Sequence, residues 1–274
     1  MVGLFISFIG GLCWGSFLNV IASRLVRGSK LFTLRSACSS CKKVIAWYDN
    51  IPLLSWLVLR ARCRSCATPI SWLYPFTELM TAVVLTATIY RTLHINLLMP
   101  FFDINIAYVM IMPHMLYSAV IHVLFMSALI AATRTDLEAM VIPQLFTVWL
   151  IPLGLAAAYF DLTCISLTHS ALGALLGYGL LWVVAFAFKR ATGKDGVGEG
   201  DMELLALIGS FLGPLGVWFS LMIGSLSGLV LGTVYLLLAK KQRSTRIPFG
   251  PFLALGAVLY FFFYPTMIAT FFSF

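Results

Sequence analysis

The sequence predicts an all-α polytopic membrane protein of about eight transmembrane helices, interrupted by one small cysteine-bearing insertion on the cytoplasmic side. Three observations predict it. Of 274 residues, 61% are hydrophobic and only 10% are charged, which is too little polar surface for a soluble domain of this size and too much apolar length for one core. Apolar stretches recur over 2–22, 74–90, 114–132, 140–160, 166–188, 202–215, 217–239 and 251–273, each to be set against the roughly 20 residues that cross a hydrocarbon layer about 30 Å thick. All 18 Lys and Arg except Arg91 fall in segments that become cytoplasmic if the N-terminus lies outside. That is the positive-inside pattern, so the net charge of +8 reports orientation and gives no argument for nucleic acid.

Taken in order, the first stretch has no basic residue ahead of its apolar run and no small-x-small site before a polar start, so it reads as a retained span and not a cleaved signal. The hydrophilic insertion 24–73 follows and carries nine basic residues. Cys38, Cys41, Cys63 and Cys66 within it form two CxxC pairs separated by 21 residues, the spacing by which two knuckles present four thiolates to one tetrahedral zinc. Redox dithiols or disulfides are the competing reading, and a cytoplasmic loop is kept reduced. Four thiolates close the coordination shell, so the zinc is expected to be structural. Lys42, Lys43, Arg62 and Arg64 beside the cysteines favour the thiolate form. An insertion this small is expected to take most of its folding energy from the metal. Cys13 and Cys164 read as packing residues. The expected organisation is therefore a first span over 1–23, the insertion over 24–73 and a membrane domain over 74–274.

The chemistry is expected at two acids. Asp136 in TRTDLEAMVIP and Asp201 in GVGEGDMELLALIG stand where apolar spans meet basic loops, one at the entry to the fourth span and one at the entry to the sixth. Ionisable residues at a membrane boundary are costly unless paired, hydrated or used. Two carboxyl groups close enough to share a proton can divide labour, one taking a proton from water while the other polarises a carbonyl. Gly198 and Gly200 suit close approach of a substrate backbone and conformations barred to other residues. Gly213 and Pro214 should break the sixth span about 20 Å after Asp201.

Six motifs then occur in order: GSFLNV at 15–20, the paired CxxC motifs around WYDNIPLLSWL, YPFTEL at 74–79, TDLEAMVIP, GEGD at 198–201 and IPFGPFLALG at 247–256. Together they resemble the prepilin peptidases, or type IV leader peptidases, over the whole chain. The resemblance implies an inner-membrane GxGD aspartyl protease whose catalytic residues match Asp136 and Asp201. It implies prepilin and pseudopilin substrates cut after a glycine behind a basic leader, and in many members N-methylation of the new N-terminus, usually phenylalanine, with S-adenosylmethionine. The sequence does not distinguish substrates of pilus assembly from those of secretion or DNA uptake.

The chain departs from the family pattern at Glu203, commonly Lys, at Gln144, often Asp, and at Ala61, often Gly in members that methylate. None of these is one of the two acids; Ala61 bears on methylation alone. Glu78 resembles a recurring family glutamate and is read either as a ligand for the substrate's amino end, as a partner for a loop arginine or as a plain acid near a helix start. Asn19 is read as an interhelical hydrogen-bonding residue or a substrate contact. The four histidines show no mutual ligand spacing, and Asp103 falls in an external connection. A rival reading is a transporter with a zinc-stabilised loop that uses Asp136 and Asp201 as a proton relay. Carboxylates at one face, away from the midplane, and no inverted repeat argue against it.

Overall fold

The computed structural model describes residues 2–30, 36–97, 104–238 and 247–272. In chain order its helices are α1 (Val2–Val26), α2 (Leu54–Val58), α3 (Leu73–Leu97), α4 (Ile104–Ala139), α5 (Ile151–Tyr159), α6 (Leu167–Thr192), α7 (Glu199–Leu238) and α8 (Gly250–Phe272), with short 3-10 turns at Trp47–Asn50, Gln144–Phe146 and Val148–Leu150. Among the described residues the only β pairing is two isolated bridges, Ala37 with Val44 and Arg62 with Pro69. Among the described residues, five helices are long and apolar enough to cross a membrane, over Val2–Val26, Leu73–Leu93, Pro113–Ala139, Leu167–Thr192 and Glu199–Tyr235, and two shorter apolar segments lie at Gln144–Tyr159 and Gly250–Tyr264. The all-α multi-pass architecture read from the sequence is the one observed. Asp103 and the basic run Lys240, Lys241, Arg243 and Arg246 lie outside the described residues.

The chain forms two compact units, Met1–Phe101 and Phe102–Phe274. In the first, α1 and α3 run against each other through small residues: a Cβ on Gly11 would sit 2.6 Å from the Cα of Ala82, and one on Gly15 2.8 Å from the Cα of Glu78. Close backbone approach of this kind is what helix association in lipid relies on, because lipid tails are as apolar as the side chains. Buried Asn19 adds a cross-link, its Nδ2 donating to the Tyr74 carbonyl at 3.0 Å. The helix starting at Leu73 therefore packs with the first span, whereas the sequence grouped 74 onward into one membrane domain.

The second unit is built around α7. Its contact with α6 is made by glycine: a Cβ on Gly173 or on Gly209 would run into the backbone of the other. The Ser170 hydroxyl donates to the Ser210 carbonyl at 2.5 Å across the same contact. Phe125 of α4 stacks on Phe211 of α7, with ring centroids 4.5 Å apart, while Leu204, Leu205, Leu207 and Ile208 are fully buried.

Three span boundaries differ from expectation. The stretch 114–132 belongs to a 36-residue helix that starts at Ile104, carries Pro113 and continues through TRTDLEA. The polar residues of TRTDLEA extend the helix because Arg134 pairs with Glu138 four residues on, at 2.6 Å. The stretch 140–160 begins as two 3-10 turns and becomes α-helical only over Ile151–Tyr159. The spans expected at 202–215 and 217–239 are one kinked element, α7, with Gly213 at φ 72° and ψ −174°. A left-handed φ is open to glycine, and Pro214 restarts the helix because a first-turn residue needs no N–H. The half before the kink, from Glu199 to Leu212, is about 21 Å long at 1.5 Å per residue.

Candidate active site and metal centre

Asp136 is not in a loop before the fourth span, as the sequence suggested. It lies in the last turns of α4, 6% exposed, and the helix stops just beyond it, where Met140 adopts φ 54° and donates its N–H to the Asp136 carbonyl. The carboxylate Oδ2 accepts the Gly250 backbone N–H at 2.9 Å. Gly250 opens α8, and Pro251 behind it has no N–H to offer, so Asp136 satisfies an amide that a helix start would otherwise leave without a partner. A Cβ on Gly250 would come within 2.9 Å of that same Oδ2 and 3.0 Å of Ile142 Cδ1.

Asp201 lies in the first turn of α7, and its N–H donates to the Gly198 carbonyl at 3.2 Å. A Cβ on Gly198 would stand 3.3 Å from Asp201 Oδ2, so the glycine lets the carboxylate fold back over the helix start. A Cβ on Gly200 would meet Ile142 Cβ at 2.9 Å. Neither glycine has a left-handed backbone, so their value is space and not an unusual conformation, which corrects half of the sequence reading. Ile142 thus touches the glycine beside each acid, and the two carboxylates lie within Coulombic reach of each other. Replacing Gly250 by Ala should push the Asp136 carboxylate aside. We expect turnover to fall at least tenfold with the fold retained, measured as cleavage by purified protein alongside its thermal melting.

The two departures Gln144 and Glu203 meet in space. Gln144 Nε2 and Thr147 Oγ1 each donate to a different oxygen of Glu203, both at 3.0 Å. The α4–α5 connection is thereby strapped to α7 two residues past Asp201. Thr147 is fully buried, so Glu203→Ala leaves its hydroxyl without that acceptor. This should cost about 1–3 kcal/mol, seen as a lowered melting temperature, with Glu203→Gln closer to the parent.

In the first unit the four cysteines converge. The Sγ atoms of Cys38, Cys41, Cys63 and Cys66 all lie within 4.8 Å of one another, and Cys38 and Cys66 are 3.8 Å apart. Tetrahedral Zn–S bonds of about 2.3 Å place sulfurs about 3.8 Å apart, so the donor set fits zinc. The knuckles are built alike. Cys38 N–H donates to the Lys43 carbonyl and Cys63 N–H to that of Thr68, both at 2.9 Å. The fourth residue after each first cysteine, Lys42 or Ala67, takes a positive φ of 58° or 56°. Hydrogen bonds from the Thr68 side chain and backbone hold the Cys66 thiol down to about 6 and backbone N–H groups lower Cys38, which favours the thiolate at those two, whereas at Cys41 the Lys43 backbone bond is outweighed by burial and the neighbouring thiols, which push it up to about 11. Arg64 grips Asp49 through two nitrogens at 2.6 and 2.8 Å, fastening the Trp47–Asn50 turn to the second knuckle and holding the Asp49 carboxyl below its ordinary range.

Glu78, 7% exposed, accepts the Leu53 N–H at 2.8 Å. Leu53 has φ 59° and ψ −51°, and Leu54 N–H donates back to the Pro52 carbonyl at 2.6 Å, which makes a strained three-residue turn. Such backbone costs about 1–3 kcal/mol and persists where its surroundings fix it. Glu78 thus ties the insertion to α3. Asn19 makes its interhelical bond with Tyr74. Cys13 and Cys164 are exposed, not packed into a core. Among the described residues the cysteine set is the only group arranged to hold a metal.

The description "Bacterial Peptidase A24 N-terminal domain" matches residues 9–92, and "Type IV leader peptidase family" matches residues 123–237. The chain is 31% identical over 92% of its length to a prepilin leader peptidase/N-methyltransferase of Xanthomonas campestris, covering 88% of that protein. It is 34% identical over 90% of its length to one of Pectobacterium carotovorum, again covering 88%. It is 33% identical over 91% of its length to a type 4 prepilin-like proteins leader peptide-processing enzyme of Escherichia coli, covering 90%. The chain belongs to the type IV leader peptidase family. No solved structure matches it.

Two residues of this family member were not singled out from the sequence. Gly250 sits in the quoted IPFGPF string, and the glycine–proline pair at a helix start was the available signal. Thr147 carried none, because its partner Glu203 is 56 residues away.

Proposed function

We propose that this protein is a membrane-embedded aspartic endopeptidase that removes the basic leader from type IV prepilins and pseudopilins, and that it N-methylates the new N-terminus. Asp136 and Asp201 form the dyad, at the cytoplasmic border of the bacterial inner membrane. One carboxylate takes a proton from the attacking water while the other, protonated, gives its proton to the scissile carbonyl; on collapse the first passes the water's proton to the leaving amine and the second recovers its own from the intermediate's hydroxyl. The observation that carries the reading is the convergence on Ile142. The end of α4 and the start of α7 bring one acid each to it, and the first amide of α8 fixes the Asp136 carboxylate. Oδ2 accepts the Gly250 N–H, which holds the carboxylate in place.

An apolar cavity of about 320 Å³ is walled by Leu229 of α7 and by Ile247, Phe249 and Phe252 around the start of α8. Phe249 precedes Gly250 in the chain, and the cavity suits the apolar segment that follows the cut. Methylation consumes S-adenosylmethionine, which supplies the methyl group, and the 24–73 insertion is the region we assign to it. Zinc at Cys38, Cys41, Cys63 and Cys66 holds the insertion folded. The test is cleavage of a peptide with a basic leader, glycine, phenylalanine and an apolar helix by purified protein. A single cut after the glycine supports the reading, and an intact peptide rejects it.

A further inference from the structure

In α2, Leu54, Leu57 and Val58 stand at i, i+3 and i+4 and share one side of the helix. They are 59%, 63% and 75% exposed. The rest of the helix is tied down, Trp56 Nε1 donating to the Ile70 carbonyl at 3.2 Å and Ser55 Oγ to the Tyr48 carbonyl at 3.0 Å. The Ser55 bond joins α2 to the turn that carries Trp47, which is 81% exposed. An insertion rich in basic residues thus leaves the apolar side of α2 bare.

A hydrogen bond holds α2 close to the start of α3. Leu53, immediately before α2, is held by Glu78, and Glu78 lies five residues into α3, roughly 7.5 Å along its axis. Both ends of the insertion run into helices of spanning length, α1 and α3. Arg60 at the end of α2 and Lys42, Lys43 and Arg62 on the knuckles are all exposed, and the insertion's one acid is taken by Arg64. The side chains that rim this face carry positive charge, so an anionic partner fits it. An apolar helix face rimmed by basic residues is the pattern that binds an anionic membrane surface.

We propose that α2 is an interfacial anchor: its Leu54, Leu57 and Val58 face enters the leaflet that α1 and α3 adjoin, and Arg60 with the knuckle lysines rests on anionic lipid phosphates. The anchor holds the cysteine cluster at a set distance from the membrane, and it does not depend on the peptidase reading. The test is photo-crosslinking of the full-length protein with p-benzoylphenylalanine in place of Leu57, and separately of Ser65 in the second knuckle, in vesicles of phosphatidylethanolamine and phosphatidylglycerol. The expected result is lipid adducts at least tenfold more abundant at position 57 than at 65, falling several-fold with Arg60→Gln or in phosphatidylcholine vesicles. Should the Leu57 variant fail to fold, judged by loss of bound zinc, the probe in place of Val58 reads the same face. Adducts to an added prepilin, to a second copy or to another segment of the chain overturn the proposal, as does a lipid yield no higher than at position 65.

Discussion

Asp136→Asn and Asp201→Asn should each abolish leader cleavage while the protein stays folded in the membrane. One carboxyl cannot be both the base for water and the protonated donor to the carbonyl, so each single loss should match the double, a fall of roughly 10⁴-fold or more. Asn is the informative replacement at Asp136 because its side-chain oxygen still accepts the Gly250 N–H. Ala would leave that amide unsatisfied at about 1–3 kcal/mol and confuse loss of chemistry with loss of structure. The measurement is turnover of the leader peptide beside the thermal melting of each variant. Retention of more than a few per cent of parental turnover by either single variant removes that residue from the dyad.

The second large effect divides the two activities. Cys38→Ser or Cys63→Ser should release the one zinc expected per chain and lose methylation far more deeply than cleavage. Losing a thiolate unfolds a knuckle that has little core of its own, since its folding free energy is largely the metal's. The spans keep their contacts, because α6 and α7 are joined through Gly173, Gly209 and the Ser170 bond, none of which involves the cysteines. Conversely, Asp201→Asn protein should still methylate a pre-cleaved substrate. Mass spectrometry of the product and metal analysis of the protein check both halves. Equal loss of both steps in the cysteine variants would refute the division, and parent protein without zinc would refute the metal centre.

Local chemistry was legible in the sequence wherever a residue's role depends on its near neighbours. Two CxxC pairs specify four thiolates because each knuckle is closed by hydrogen bonds within five or six residues, and the structure brings all four sulfurs within 4.8 Å. The break at Gly213 was legible for the same reason, as Gly–Pro both needs and permits a kink. Span limits were less so. TRTDLEA reads as a loop by polarity, yet an Arg–Glu pair one turn apart keeps it helical.

By itself, the sequence determined the membrane class, the order of apolar segments, the four paired cysteines and the two acids worth testing, since each follows from composition or short spacing. Tertiary structure alone decided what surrounds those acids: Ile142 between Gly200 and Gly250, the α8 amide on Asp136, and Gln144 and Thr147 on Glu203. Gly250 is 114 residues from Asp136, and no periodicity or motif spacing encodes a contact over that distance. It arises only when helices pack, because backbone amides at a helix start and buried carboxylates each need a partner that their own segment does not supply.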